Sequence, residues 1–147
     1  MHRAFVALAL VVITSSATLA VVACAPTPPI KTASGELVDG VAFEEHFPLS
    51  KDGREVTLHG DKLKAAVPLL DKHGVMAMSG NYEPAKSVLD KGTLVIAIHS
   101  PANKQRSITV KNCAEPHVCA FFAEAVQTGL TDKTPVVCRE SVACTKK

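Results

Sequence analysis

Thr93-Leu94-Val95-Ile96-Ala97-Ile98-His99 is the stretch whose reading decides the fold. Its side chains alternate, with Leu94, Ile96 and Ile98 to one side and Val95, Ala97 and His99 to the other. This is the period of two that belongs to a β-strand. One face carries only large aliphatic groups, so it must meet a core. A second run, Arg106 to Asn112, places Ile108 and Val110 on a common face. Ser100 to Gln105, with Pro101 and Asn103, separates the two runs, and together they predict an antiparallel hairpin with a six-residue loop. The cover for this sheet follows in the chain. Glu115-Pro116 opens a helix with proline in its first turn. Cys119, Phe122 and Val126 share one side of it, flanked by Val118 and Ala125, and Gly129 supplies the stop. Phe122 is expected to pack between this helix and the face of Leu94, Ile96 and Ile98.

Upstream, Leu63, Ala66, Val67 and Leu70 recur at helical spacing after Gly60-Asp61. Pro68 interrupts that pattern, because a proline inside a helix lacks the backbone donor and crowds the preceding turn. A kink, or a helix restarted at Pro68, is expected, with Gly74 ending it. Asp52-Gly53 signals a turn, and Glu55 to His59 alternates like a strand. Residues 36–48 contain Leu37, Val38, Val41, Phe43 and Phe47 and fit a strand or a helix, with core contact in either case. Val75 to Tyr82 reads as a strand with Met76 and Met78 on one face. Val136 to Cys138 and Val142 to Cys144 are also strand-like. The mixed order implies few parallel crossovers. The class is α+β: a small antiparallel sheet with one or two packed helices, stapled by disulfides.

The first sixth of the 147-residue chain is of a different kind. Met1-His2-Arg3 carries a positive charge, Phe5 to Ile13 is an unbroken apolar run, and Leu19 to Ala23 is apolar again after Thr14, Ser15 and Ser16. Val21-Val22-Ala23-Cys24 then resembles the lipobox of a bacterial lipoprotein precursor, with Val21 in place of the commoner Leu. The resemblance implies lipidation of Cys24 through its thiol, cleavage before it and acylation of the new amino group. Two other readings of the same residues stay open. Ala23-Cys24-Ala25 fits ordinary secretory cleavage, and the 20 residues from Ala4 to Ala23 match one bilayer span. Ala25, where some lipoproteins carry Asp, implies by the same resemblance an outer-membrane location facing the periplasm in a host with two membranes. Residues 25–35, with three prolines and no hydrophobic period, read as a tether. Residues 36–147 read as a single globular domain.

Removing 23 of 147 residues leaves 124, enough for one core with little margin. Arg3 leaves with the signal, so the net charge of +2 becomes +1. A near-neutral chain without clustered cations argues against nucleic-acid binding driven by phosphate neutralisation. With four Phe, one Tyr and no Trp beyond the signal, platforms for stacking bases are scarce as well.

Five cysteines make an odd count. If Cys24 carries lipid, the even set Cys113, Cys119, Cys138 and Cys144 remains, which in an exported domain predicts two disulfides. Three pairings are possible. The repeated Cys-x5-Cys spacing favours the local bonds 113–119 and 138–144, while crossed pairings would close longer loops and stabilise more. A four-cysteine zinc site is disfavoured by both spacing and compartment.

His73, Met76 and Met78 support a copper hypothesis, since thioethers and imidazole suit Cu(I); methionine as core filler is the simpler account. His46 and His117 could serve as ligands or general bases, but neither has a partner at a diagnostic spacing. There is no nucleophile elbow and no glycine-rich phosphate loop. An enzyme would require His46, His59, His99 or His117 to gather in one cleft. The expectation is therefore a non-enzymatic binding module without a cofactor, held to the membrane by lipid and meeting an envelope or extracellular protein, as an inhibitor, immunity protein or accessory subunit would. A periplasmic ligand or copper carrier is the alternative.

Overall fold

In the computed structural model, the described residues are 28–48, 53–101 and 104–147. In chain order they form β1 (Ile30–Lys31), β2 (Leu37–Val38), β3 (Gly40–His46), β4 (Arg54–Leu58), α1 (Gly60–Lys72), β5 (Gly80–Pro84), β6 (Thr93–Ser100), β7 (Lys104–Lys111), α2 (Pro116–Gln127) and β8 (Cys144–Lys146). β1 and β2 make a two-stranded antiparallel sheet. The other strands make a six-stranded sheet in the order β4-β3-β6-β7-β5-β8. All its pairs are antiparallel except β5 with β7.

The alternation read at 93–99 organises the whole sheet. Leu94, Ile96 and Ile98 are buried on β6, and register lays Val41 and Phe43 of β3 and Ile108 and Val110 of β7 beside them. Register is strongly specified here, because a slip of one residue would turn this entire set to water. Both helices cover that one face. Leu63, Ala66, Val67 and Leu70 of α1 and Val118, Phe121, Phe122 and Ala125 of α2 join the strands in a single core.

Phe122 packs as expected, but the buried side of α2 is turned relative to the expected stripe. Cys119 and Val126 are only half-buried, whereas Phe121 is fully enclosed. Phe43, Phe121 and Phe122 form a ring cluster with centroids 5.0–5.7 Å apart. Three aromatic rings outweigh an aliphatic stripe in area, so they set the helix rotation. Glu115 caps α2 by accepting from the Val118 amide at 2.8 Å, and Gly129 (φ +72°) follows its C-terminus in the left-handed conformation that glycine adopts without strain.

Several expectations are corrected. α1 runs unbroken through Pro68, which lies on its exposed side with Lys64, so the carbonyl that loses its partner is on the solvent side. Gly74 does end it. Val75–Ala77 is a 3-10 turn and not the start of a strand, and β5 begins only at Gly80. Val136–Arg139 is likewise a 3-10 turn. The β6–β7 hairpin is tighter than expected: Ser100 pairs with Lys104, leaving three residues in the loop. The tether expected over 25–35 ends earlier. Ile30 pairs with Val38, Thr32 is buried, and the Ala33 amide donates to Asp71 of α1 at 2.7 Å, so the folded part includes residue 30. Asp52 of the expected turn lies outside the described residues.

Both disulfides form, with a different pairing. Cys113 bonds Cys144 and Cys119 bonds Cys138, with Cα–Cα separations of 5.2 and 5.3 Å. The nesting is a tertiary result. β8 adds to β5 with Cys144 opposite Pro84, and a bridge between Ala114 and Ala143 brings Cys144 to the end of β7. The 3-10 turn carrying Cys138 is drawn to the sheet by buried Glu45, whose carboxylate accepts from the Val136 amide. Closing loops of 31 and 19 residues stabilises by about 3–4 kcal/mol for each bond taken alone in the chain-entropy model.

Candidate functional site

With both helices on one face, the other face of the six-stranded sheet has no helix over it. It presents Thr57 of β4, Ala42 and Glu44 of β3, Val95 and Ala97 of β6, and Ser107 and Thr109 of β7, none of them buried. Ala42 lies opposite Ala97 and Ala97 opposite Ser107, so the middle of the face is shallow and low in charge. Its lower edge is polar, where His46 meets Glu44 at 3.0 Å. Short side chains in register give a flat surface that can approach another protein closely without ordering long side chains.

The same edge carries the segment between β5 and β6. Residues 85–91 are all exposed; Leu89 reaches a relative exposure of 81%, whereas Val88 is at 36%. The segment is nevertheless anchored at its base. Asn112, in a left-handed conformation (φ +59°), accepts from the amides of Lys91 and Gly92 at 2.8 and 3.1 Å, and its own amide donates to the Gly92 carbonyl. An Asn tolerates this backbone better than most residues because its short polar chain can bond locally. Gly92 is required too: a Cβ there would come within 3.1 Å of the His46 carbonyl. Beneath the segment is a polar concavity of about 420 Å³ lined by Glu83, Lys86, Asp90, Lys111 and Lys147.

A second constellation lies where α1 meets α2. The Lys72 ammonium and the His73 Nε2 each contact the Glu124 carboxylate at 2.7 Å, and the His117 Nδ1 donates to the His73 carbonyl at 2.9 Å. The hydrogen bonds from Lys72 and then His73 hold the Glu124 carboxyl below its ordinary proton affinity. Both Glu124 oxygens are engaged, so the group works as a clamp between helices and offers no free base. The shallow opening beside it is lined by His73, Gly74 and His117.

Among the described residues, His46, His59, His99 and His117 do not share one cleft. His73 and His117 meet, but His46 ends β3 while His99 of β6 lies opposite Gly40 at the other end of that strand, roughly 20 Å away at about 3.3 Å per residue. His59 is exposed just ahead of α1. Met76 and Met78 are buried in the core, and His73 is held by Glu124, so the three copper candidates share no open face. Among the described residues no group of three or more His, Cys, Asp or Glu is placed to hold a metal ion. The four paired cysteines are structural. Cys24 lies outside the described residues, and within them no helix is long and apolar enough to cross a membrane.

The chain matches no protein-family model, no curated protein and no solved structure in these comparisons.

Glu45, Asn112 and the 85–91 segment were not singled out by the sequence. Asn112 carried a faint signal as a turn-tolerant residue at a strand end. Glu45 carried the opposite of one, since a carboxylate beside Glu44 reads as solvated.

Proposed function

We propose that this protein is a non-enzymatic binding module of the bacterial envelope, held to the membrane by lipid on Cys24, whose partner is another protein. The observation that supports the reading is the uncovered face of the six-stranded sheet, shallow at Ala42, Ala97 and Ser107 and bordered by an exposed segment with a pinned base. The two disulfides suit an exported domain that must keep one shape while presenting a surface. In such a module the scaffold contributes rigidity, and affinity comes from apolar anchors near the centre of a patch. The Lys72–His73–Glu124 clamp fits the same reading, because it ties the helices behind the sheet.

The test is isolation of the full-length protein from its own membranes in mild detergent. A stoichiometric complex with one envelope or extracellular protein is expected. Ala97→Arg, which places a long charged side chain on the middle of the shallow face, should dissociate that complex while leaving the thermal midpoint close to wild type. A monomer without a partner under these conditions would refute the reading.

A further inference from the structure

Segment 85–91 and the place of β1 and β2 at the other end of the sheet together point to a specific mode of docking. We infer that Leu89 is the apex of an insertion tip that enters an apolar pocket with an acidic rim on the partner protein. The inference rests on the binding-module reading and adds to it the docking element and the chemistry of what receives it.

Three observations carry it. First, the apex is apolar and outward. Leu89 is the most exposed large hydrophobic residue among those described, and Val88 behind it turns into the concavity beneath the segment. An exposed Leu alone is ordinary, but this one stands on a held base. The base is fixed by the two bonds from Asn112 Oδ1, by the close fit of Gly92 against His46, and by β5, which is paired on both sides. Cys113, next to Asn112, bonds Cys144, which lies opposite Pro84 at the start of the segment. Holding a tip in place before it binds reduces the ordering cost of association.

Second, the surroundings are basic. Lys86 and Lys91 flank the apex, and Lys111 and Lys147 line the concavity beneath, against Glu83 and Asp90. Four cations against two carboxylates around the apex and the concavity, with Glu44 of the same edge paired to His46, complement an apolar pocket rimmed by acids.

Third, topology puts the tip and the β1–β2 pair at opposite ends of the six-stranded sheet. β1 pairs with β2, and next to β2 the Asp39 amide donates to the His99 carbonyl and Glu36 bonds Ser100 and Arg106, all at one end of the sheet. The 85–91 segment leaves the other end, beyond Thr93 and Lys111. β6 spans eight residues, so the two ends are about 23 Å apart at roughly 3.3 Å per step. Lipid on Cys24, six residues before Ile30, would hold the β1 end toward the membrane, so the tip at the opposite end favours a protein over a bilayer as the receiver.

The experiment places benzoylphenylalanine at position 89 in the full-length protein, in the cells that make it, with Lys62 on α1 as control. Illumination should give one protein adduct from position 89 and none from position 62. The purified partner should then bind Leu89→Asp about 10–100-fold more weakly than wild type, the range expected for losing one buried leucine. Leu89→Met should restore binding, and the thermal midpoint of each variant should be unchanged. Lys86→Glu with Lys91→Glu should weaken binding and reverse its salt dependence. Adducts absent at 89, equal at both positions, or formed with a partner indifferent to Leu89→Asp would overturn the inference. So would Leu89-dependent binding to phosphatidylethanolamine–phosphatidylglycerol vesicles in place of a protein. A complex that survives Leu89→Asp removes only the insertion tip; no complex at all removes the binding-module reading with it.

Discussion

Phe121→Ala should be among the most damaging single substitutions in this chain. Phe121 is completely enclosed, and its ring lies 5.0 Å from that of Phe122, edge to face at 75°, and 5.7 Å from that of Phe43. Burial of a Phe side chain stabilises by about 1.5–3 kcal/mol. Each of the two ring contacts adds about 0.5–1.5 kcal/mol. The expected loss is therefore about 2.5–6 kcal/mol, which brackets the usual range of about 3–5 kcal/mol for truncating a buried Phe to Ala. A domain of this size has on the order of 5–15 kcal/mol in total, so the variant should be folded but marginal. Val126→Ala is the control, because Val126 is half-buried on the neighbouring side of α2 and should cost about 1 kcal/mol or less. Urea unfolding of the oxidised proteins, with equal m-values required for comparison, measures both. A loss below about 1 kcal/mol for Phe121→Ala, with a larger loss for Val126→Ala, would mean that α2 is rotated about its axis and that the ring cluster does not exist.

Peptide mapping under non-reducing conditions should recover Cys113 linked to Cys144 and Cys119 linked to Cys138; peptides joining 113 to 119 would contradict the fold of the C-terminal segment. Limited proteolysis should release a stable fragment beginning before residue 30, and a first cut between 31 and 36 would show that β1 is not part of the domain. Glu124 binds protons more weakly folded than unfolded. Its contribution is therefore present above the unfolded value near 4.5 and is lost as pH falls through the lower folded value. Glu124→Gln should accordingly flatten the acid limb of stability against pH, and an unchanged limb would show that the clamp does not form in solution. Labelled fatty acid should enter the wild type and not Cys24→Ser; equal labelling of the two would end the lipid-anchor proposal.

The local patterns were decisive wherever burial follows the backbone period. Leu94, Ile96 and Ile98 face the core because a strand turns alternate residues the same way, and no arrangement of neighbours can undo that. Leu63, Ala66, Val67 and Leu70 are buried for the corresponding helical reason, and Pro116 and Gly129 bound α2 because of what their backbones permit. The α+β class and the presence of two disulfides followed from these signals and from the even set of cysteines. Tertiary structure decided whatever depends on which distant segments meet. The pairing of Cys113 with Cys144 follows from β8 joining β5, a contact that no spacing within the chain encodes. The 3-10 turn at Val136 competes with a strand on equal local terms, and the bond from its amide to buried Glu45 tips the balance. Phe121 is enclosed because Phe43, 78 residues earlier, supplies a ring to pack against. The open sheet face exists only because both helices chose the same side. The exposure of Leu89 follows from Asn112 fixing the base of its segment, a hydrogen bond across twenty residues that hydrophobic periodicity does not register.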